Sequence, residues 1–379
     1  MKFADVIGLE TVKQRLRKTV RDSRVSHAQL FMGPEGTGKL PMALAYAQFI
    51  NCTNRQEDDS CGECPSCIKY EKLVHPDLHF IYPTASKKGL EKPTSKDFVK
   101  QWRELLEEHN GYINLYGWYE KIGIERKQGI INSSDCNDII KTLSYKSYEA
   151  NYKVMIIWMV EKLYHAAAPR ILKILEEPPD KTLFILISDH PDQIINTILS
   201  RTQIVKFPYI GKDDLMETLL KEGYEQNLIA NALNISKGSY VEAKNILAQS
   251  GEEDINTEWF TKWMRLCFSG KLSDTLDFVA ELSKHTRDNQ KAFINYTLRM
   301  VRESMLMNSD SENLVRLNKT ESDFIIGTKA KRFYPFINAK NIVAITKELE
   351  SAIYHIERNA NPNILFFDLS LKFGQYLKS

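Results

Sequence analysis

Residues 28–40 read A-Q-L-F-M-G-P-E-G-T-G-K-L. Ala28 to Met32, apolar around Gln29, makes a short buried strand; glycines at 33, 36 and 38 form a turn, and from Leu40 to Ile50 apolar residues return at helical spacing. That order lets backbone N–H groups and a helix N-terminus converge on an anion. Gly33 to Lys39 also fits the G-x-x-x-x-G-K spacing of a phosphate-binding loop, with Gly36 and Thr37 inside it and Lys39 supplying a point charge. The alternative is a glycine turn that merely joins strand to helix.

Working outward, Val12, Leu16 and Val20 recur every four residues and predict a first amphipathic helix. Strands are expected at 78–82, 154–160, 183–188 and 203–207, and helices at 96–108, 132–143 and 164–176, the last stopped by Pro178 and Pro179. Strands alternating with helices imply an α/β domain with a parallel sheet flanked by helices. Residues 84–97, rich in Lys, Ser, Gly and Pro, read as an exposed insertion. Beyond Pro208 strand signals largely fade. Short helices are expected at 213–221, 225–233 and 240–247 and longer ones from about Asn256, with Ile342 to Ile356 the clearest. The expected domains are 1–208, 209–252 and an all-α 253–379, with no fixed-period repeat.

The 379 residues are 43% hydrophobic and 26% charged, a globular composition. Lys and Arg number 51 against 49 Asp and Glu, a net charge of +2 that argues against coating nucleic acid through overall charge. The longest apolar run, Val154 to Val160, falls well short of the roughly 18 residues of a membrane span. Asp5 and Glu10 stand where a secretory peptide would need its apolar core, so the protein is expected in the cytosol.

Four of the cysteines fall in Cys52-x8-Cys61-x2-Cys64-x2-Cys67, spacings that close a tetrahedral thiolate site for Zn²⁺. A closed site leaves no vacancy for water, so the expected role is structural. The competing reading is a dithiol redox pair. His75 could substitute as a ligand but reads better as part of the H-P-D-L entry to the next strand. Glu57, Asp58 and Asp59 read as a solvated loop, and Cys136 and Cys267 as buried thiols.

The loop lacks chemistry that its shape promises. A working loop follows the lysine with Ser or Thr to ligate Mg²⁺, and here Leu40 has no oxygen. The strand that should end in acids continues V-M-I-I-W-M-V-E, with Trp158 and Met159 at those positions and Glu161 too far along. Phosphoryl transfer at this site is not expected.

The run K-V-M-I-I-W-M-V-E-K-L-Y-H-A-A-A-P-R-I-L-K-I-L-E-E-P-P, with L-F-I-L-I-S-D-H-P and I-L-S-R-T after it, resembles bacterial clamp-loader subunits of DNA polymerase III, most of all delta-prime subunits. The likeness covers about residues 5–83 and 127–250, leaving 84–126 as an insertion. It implies an AAA+ module: a nucleotide-binding α/β domain carrying a zinc module at 52–67, a small helical lid, and a helical collar. By the same likeness Arg201, in Ser200-Arg201-Thr202, takes the place of an arginine finger acting on a neighbour's ATP site, although the usual cysteine is Thr202. Ser188 matches the strand-end residue that senses γ-phosphate. The lid arginine of a G-S-x-R pattern is replaced by Val241, after Gly238-Ser239-Tyr240.

The function implied is that of a non-hydrolytic stator within a hetero-pentamer of motor subunits and a delta-type subunit, loading a sliding clamp on primed DNA. Its cofactors would be structural Zn²⁺ and weakly held or absent ATP or ADP at Gly33, Gly36, Thr37, Gly38, Lys39 and Ser188. The alternatives are an ATP-hydrolysing gamma/tau-type motor subunit and a zinc-dependent single-stranded DNA binder. Trp102, Tyr116, Trp118 and Tyr119 read as a local helical core in the insertion, with a partner site as the alternative; Lys329-Ala330-Lys331-Arg332 reads as a solvated loop.

Overall fold

The computed structural model describes residues 1–379 except 88, 126, 165–166, 250–254, 310–313, 328–331 and 379. The expected boundary at 252 and three residues of the 329–332 basic cluster lie outside the described residues. The chain divides into two compact units, Met1–Ile246 and Leu247–Ser379. The helices after residue 209, expected as a separate lid, belong at this level to the first unit up to Ile246.

Five parallel strands form the centre of the first unit: β1 (Ala28–Met32), β2 (Leu78–Ile81), β3 (Lys153–Trp158), β4 (Thr182–Ser188) and β5 (Gln203–Lys206), in the order β2-β3-β4-β1-β5. Parallel neighbours need crossovers, and these carry the helices. They are α1 (Glu10–Arg21), α2 (Lys39–Asn51), α3 (Pro65–Glu71), α4 (Val99–Glu108), α5 (Leu115–Ile122), α6 (Ser133–Ser144), α7 (Ala168–Glu176) and α8 (Asn196–Leu199). Every residue of β4 is buried. Leu183, Ile185 and Ile187 join a core with α2 on one face, and Phe184 and Leu186 join another with α6 and α7. α2 is buried along all thirteen residues, so its sequence shows no polar face.

Pairing of Met32 with Ser188 brings the carboxyl ends of the two central strands level. In open α/β sheets that edge is where ligands bind.

Residues 84–97 are not an exposed insertion throughout. Thr84 and Ser95 are 1% exposed, Thr84 forms an antiparallel bridge with Ile130, and the Ser95 hydroxyl donates to Asp135 at 3.0 Å. A small hydroxyl can go inside when a buried carboxylate accepts from it, which composition alone does not reveal. The expected aromatic core of the insertion is present. Trp102 and Trp118 are buried with ring centroids 5.1 Å apart, and Trp102 lies 5.2 Å from Trp158; Tyr116 stays exposed.

Three further helices, α9 (Lys212–Lys221), α10 (Gln226–Ser236) and α11 (Tyr240–Gln249), follow the sheet. The second unit holds α12 (Ile255–Ser269), α13 (Leu272–Leu282), α14 (Arg287–Asn308), α15 (Lys319–Ile325), α16 (Ile342–Glu357) and α17 (Pro362–Tyr376). Its core includes Trp263, Phe293, Phe366 and Phe373, and the buried Trp263 indole donates to Ser370 Oγ at 2.7 Å. Among the described residues no helix is long and apolar enough to cross a membrane.

Candidate functional site

The glycine loop leaves β1 and enters α2 as expected. Gly36 and Gly38 have φ of +73° and +83°, a region that disfavours side chains, and a Cβ on Gly33 would lie 2.4 Å from the Phe207 carbonyl oxygen. Gly38 is the N-cap of α2.

Lys39 is 4% exposed, and its charge is already engaged. Its Nζ donates to the carbonyl oxygens of Gly33, at 2.8 Å, and Pro34, and pairs with Asp189 Oδ1 at 2.7 Å. Thr37 Oγ1 donates to the Pro34 carbonyl at 2.8 Å. Ser188 is fully buried at the end of β4, and its Oγ accepts from the His190 N–H at 3.1 Å. Sequence reasoning misses Asp189. The signal it leaves is an acid immediately after a strand buried along its whole length.

More negative charge gathers here. The Asp189 N–H donates to Glu161 Oε1 at 3.2 Å, and burial pushes the Glu161 carboxyl up, with Asp189 adding repulsion. Glu35 stays more than a third exposed, yet the protein packed around its carboxyl, followed by repulsion from Asp189 and Glu242, pushes it up to about 7. An anion approaching this loop meets carboxylates as well as one compensated lysine.

Leu40, Trp158 and Met159, at the positions that would handle Mg²⁺, are 4%, 2% and 2% exposed and belong to the apolar core. Beside the loop the remaining recess is about 20 Å³, lined by Gly36, Gly38, Lys39, Tyr112, Trp158 and Asp189 among others. That is room for roughly one water molecule. Val241 packs toward Gly36, where the lid arginine is absent.

The cysteines are brought together. Their four Sγ atoms lie within 4.8 Å of one another, with Cys52–Cys61 at 3.6 Å and Cys61–Cys67 at 3.9 Å. Four thiolates about 2.3 Å from a tetrahedral Zn²⁺ would be about 3.8 Å apart. Three backbone N–H groups point at sulfur: Cys61 at Cys52, Cys64 at Cys61, and Cys67 at Cys64, at 3.3, 3.3 and 3.4 Å. These donors favour the deprotonated, metal-binding form. Against the upward push of burial, hydrogen bonds from Thr53 and Cys67 hold the Cys64 thiol down at about 5, whereas burial pushes the Cys52 and Cys67 thiols up. The set fits zinc. His75 lies apart from it, its ring tilted against that of Tyr70 with centroids 4.6 Å apart and its Nε2 3.4 Å from Glu149.

Arg201 is not part of either group. It follows α8, with its side chain about one-third exposed, and its guanidinium pairs with Glu176 at the end of α7. Nη1 also donates to the Thr197 carbonyl at 3.0 Å and to Ser200 Oγ at 3.2 Å. Thr202, in place of cysteine, donates its hydroxyl to the Ile198 carbonyl at 3.0 Å.

A family model described as DNA polymerase III, delta subunit, matches residues 8–211. The DNA polymerase III subunit tau of Bacillus subtilis (strain 168) is 26% identical over 286 residues, covering 75% of this chain and 41% of that protein. Subunit delta' of the same organism is 28% identical over 226 residues, 59% of this chain and 55% of the relative. The chain thus spans about half the length, or less, of these relatives. A solved gamma subunit-related protein from Thermotoga maritima shares 13% identity, with 96% of this chain and 99% of that one covered, at a TM-score of 0.41.

Proposed function

Because the chain belongs to the DNA polymerase III delta subunit family, and the relatives described above are named as subunits of that polymerase, we propose that it acts as the delta-prime-like stator of the polymerase's clamp loader. In this reading it assembles with motor subunits and a delta-type subunit into a hetero-pentamer in the cytoplasm, and the assembly loads the sliding clamp on primed DNA. Helices in 209–252 serve as the lid, 253–379 as the collar, and Zn²⁺ on the four cysteines stiffens the module at 52–67. The supporting observation is Lys39, whose ammonium is tied to Asp189 and to its own loop while apolar side chains fill the Mg²⁺-handling positions. Those apolar positions offer no oxygen to ligate the cation or direct water in phosphoryl transfer.

Its contribution would be made in trans by Arg201. A planar guanidinium can stabilise charge on a transferring γ-phosphoryl group, contributing about 10³ to 10⁵ in rate at the site it enters. In the isolated chain Glu176 holds that guanidinium, so the neighbour's phosphate must displace a carboxylate. Loading assays with a reconstituted complex test the reading. Arg201→Ala should leave assembly intact and depress ATP-dependent loading, and Arg201→Lys should rescue little because it lacks the fork geometry. Unchanged loading with both variants, or vigorous ATP turnover by the purified chain that Lys39→Ala abolishes, would reject it. The motor reading is supported by the match to tau over 75% of this chain; the turnover assay separates the two.

A further inference from the structure

The recess beside the loop is small because the insertion fills it. Gly111, with φ of +74°, turns the chain after α4 so that Tyr112 lies against Gly38. A Cβ on Gly38 would stand 3.2 Å from the Tyr112 hydroxyl and 3.3 Å from its ring. Tyr112 is 7% exposed. Its hydroxyl oxygen accepts from the buried Ile7 N–H at 2.9 Å, and its ring meets Tyr240 edge to face at 4.7 Å. Burial pushes the phenol up, so the hydroxyl stays neutral at physiological pH. Two residues on, Asn114 lies close enough to Glu35 of the loop to favour its charged form. From the other side, the Tyr240 N–H donates to the Gly36 carbonyl at 3.0 Å, and Ser239 packs where a side chain on Gly36 would stand.

A flat ring therefore lies at the mouth of a phosphate-type loop, presenting an acceptor to a buried backbone N–H and an edge contact to an aromatic side chain. A purine base has the same attributes: a planar π-system with acceptors on its rim. We infer that Tyr112 is a built-in substitute for a nucleobase, and that the segment Gly111 to Asn114 holds together the N-terminal segment, the loop and the start of α11 as a bound purine nucleotide otherwise would. The inference rests on reading residues 33–39 as a nucleotide loop. It adds a task for the insertion and names the ligand class, a purine nucleoside or nucleotide, that the site takes once the ring is removed.

The test uses the full chain with ADP and, separately, adenosine as probes, read by calorimetry and by thermal shift. The unmodified protein should show no saturable binding of either up to about 5 mM. Tyr112→Ala should melt lower, keep its zinc and bind at least one probe with a dissociation constant at least tenfold below that limit. A folded, zinc-loaded Tyr112→Ala that binds neither probe overturns the inference and leaves the stator reading standing. Tight ADP binding by the unmodified protein overturns it as well, and ATP turnover in addition removes the stator reading. Should Tyr112→Ala not fold, Tyr112→Phe decides: with the ring kept and the acceptor lost, amide exchange at Ile7 should accelerate at least tenfold, and unchanged exchange refutes the contact on which the inference depends.

Discussion

The cysteine module and the glycine loop both announce themselves by spacing, and they have fared differently. In the module each motif atom is placed for its chemistry: four sulfurs at metal-closing distances, three of them facing backbone donors. In the loop the glycines keep their backbone shape, yet the lysine is bound internally and the metal-handling positions are apolar. Backbone shape can outlast the chemistry it once framed, because glycine conformations also serve packing. The spacing of a motif therefore has to be weighed together with what its reactive atoms already bind.

The largest test of this contrast removes the metal site. Cys64→Ser with Cys67→Ser should reduce bound zinc from one equivalent to under about a tenth and expose residues 52–71 to proteolysis, since structural zinc can supply about 10 kcal/mol to a small module. Retention of zinc by the double variant would remove the distinction.

Next in size is the buried ion pair. Lys39→Met should destabilise the protein by about 3–5 kcal/mol by leaving Asp189 unpaired, without changing ATP turnover. Adding Asp189→Leu should restore much of that loss, as paired apolar replacements often do. A denaturant series on the three variants measures both effects.

Gly36→Ala should cost about 1–2 kcal/mol through its φ of +73°. The crowded Ser239 hydroxyl adds to this, and Ser239→Ala should relieve only that part. The smallest effect is that of Glu35. Its folded-state acidity lies near 7, above its ordinary value, so the native state holds the proton more tightly and stability is lost as pH rises through about 7. Asp189 and Glu242 repel its charge, while Lys39 and Asn114 favour it. Glu35→Gln should therefore raise the melting temperature more at pH 8 than at pH 5, by a degree or two, because more than a third of Glu35 remains exposed.

Periodicity located every strand of the sheet to within about two residues, since buried parallel strands are short apolar runs and little else competes. It sets no bounds for α5, whose Leu115–Ile122 segment carries a glycine and two adjacent aromatic residues, Trp118 and Tyr119, although these aromatics read as part of a local helical core. It also read Thr84 and Ser95 as solvent-facing, although their partners, Ile130 and Asp135, come about 40 residues later. The site divides along the same line. Lys39 and the cysteines are legible because their motifs are local. Asp189, Glu176 and Tyr112 acquire meaning only from Lys39, Arg201 and Ile7, which are distant in the chain.

The burial of α2 on every side bears on how the chain is made. Beyond Lys39 this helix carries no charge, and its neighbours include β4, which is synthesised about 140 residues later. At translation rates of about 5–20 residues per second, the segment waits on the order of ten seconds for that strand. During this interval the nascent chain carries a greasy helix with no water-compatible side, so slow ribosomal passage through residues 52–182 is the condition under which aggregation should be most severe.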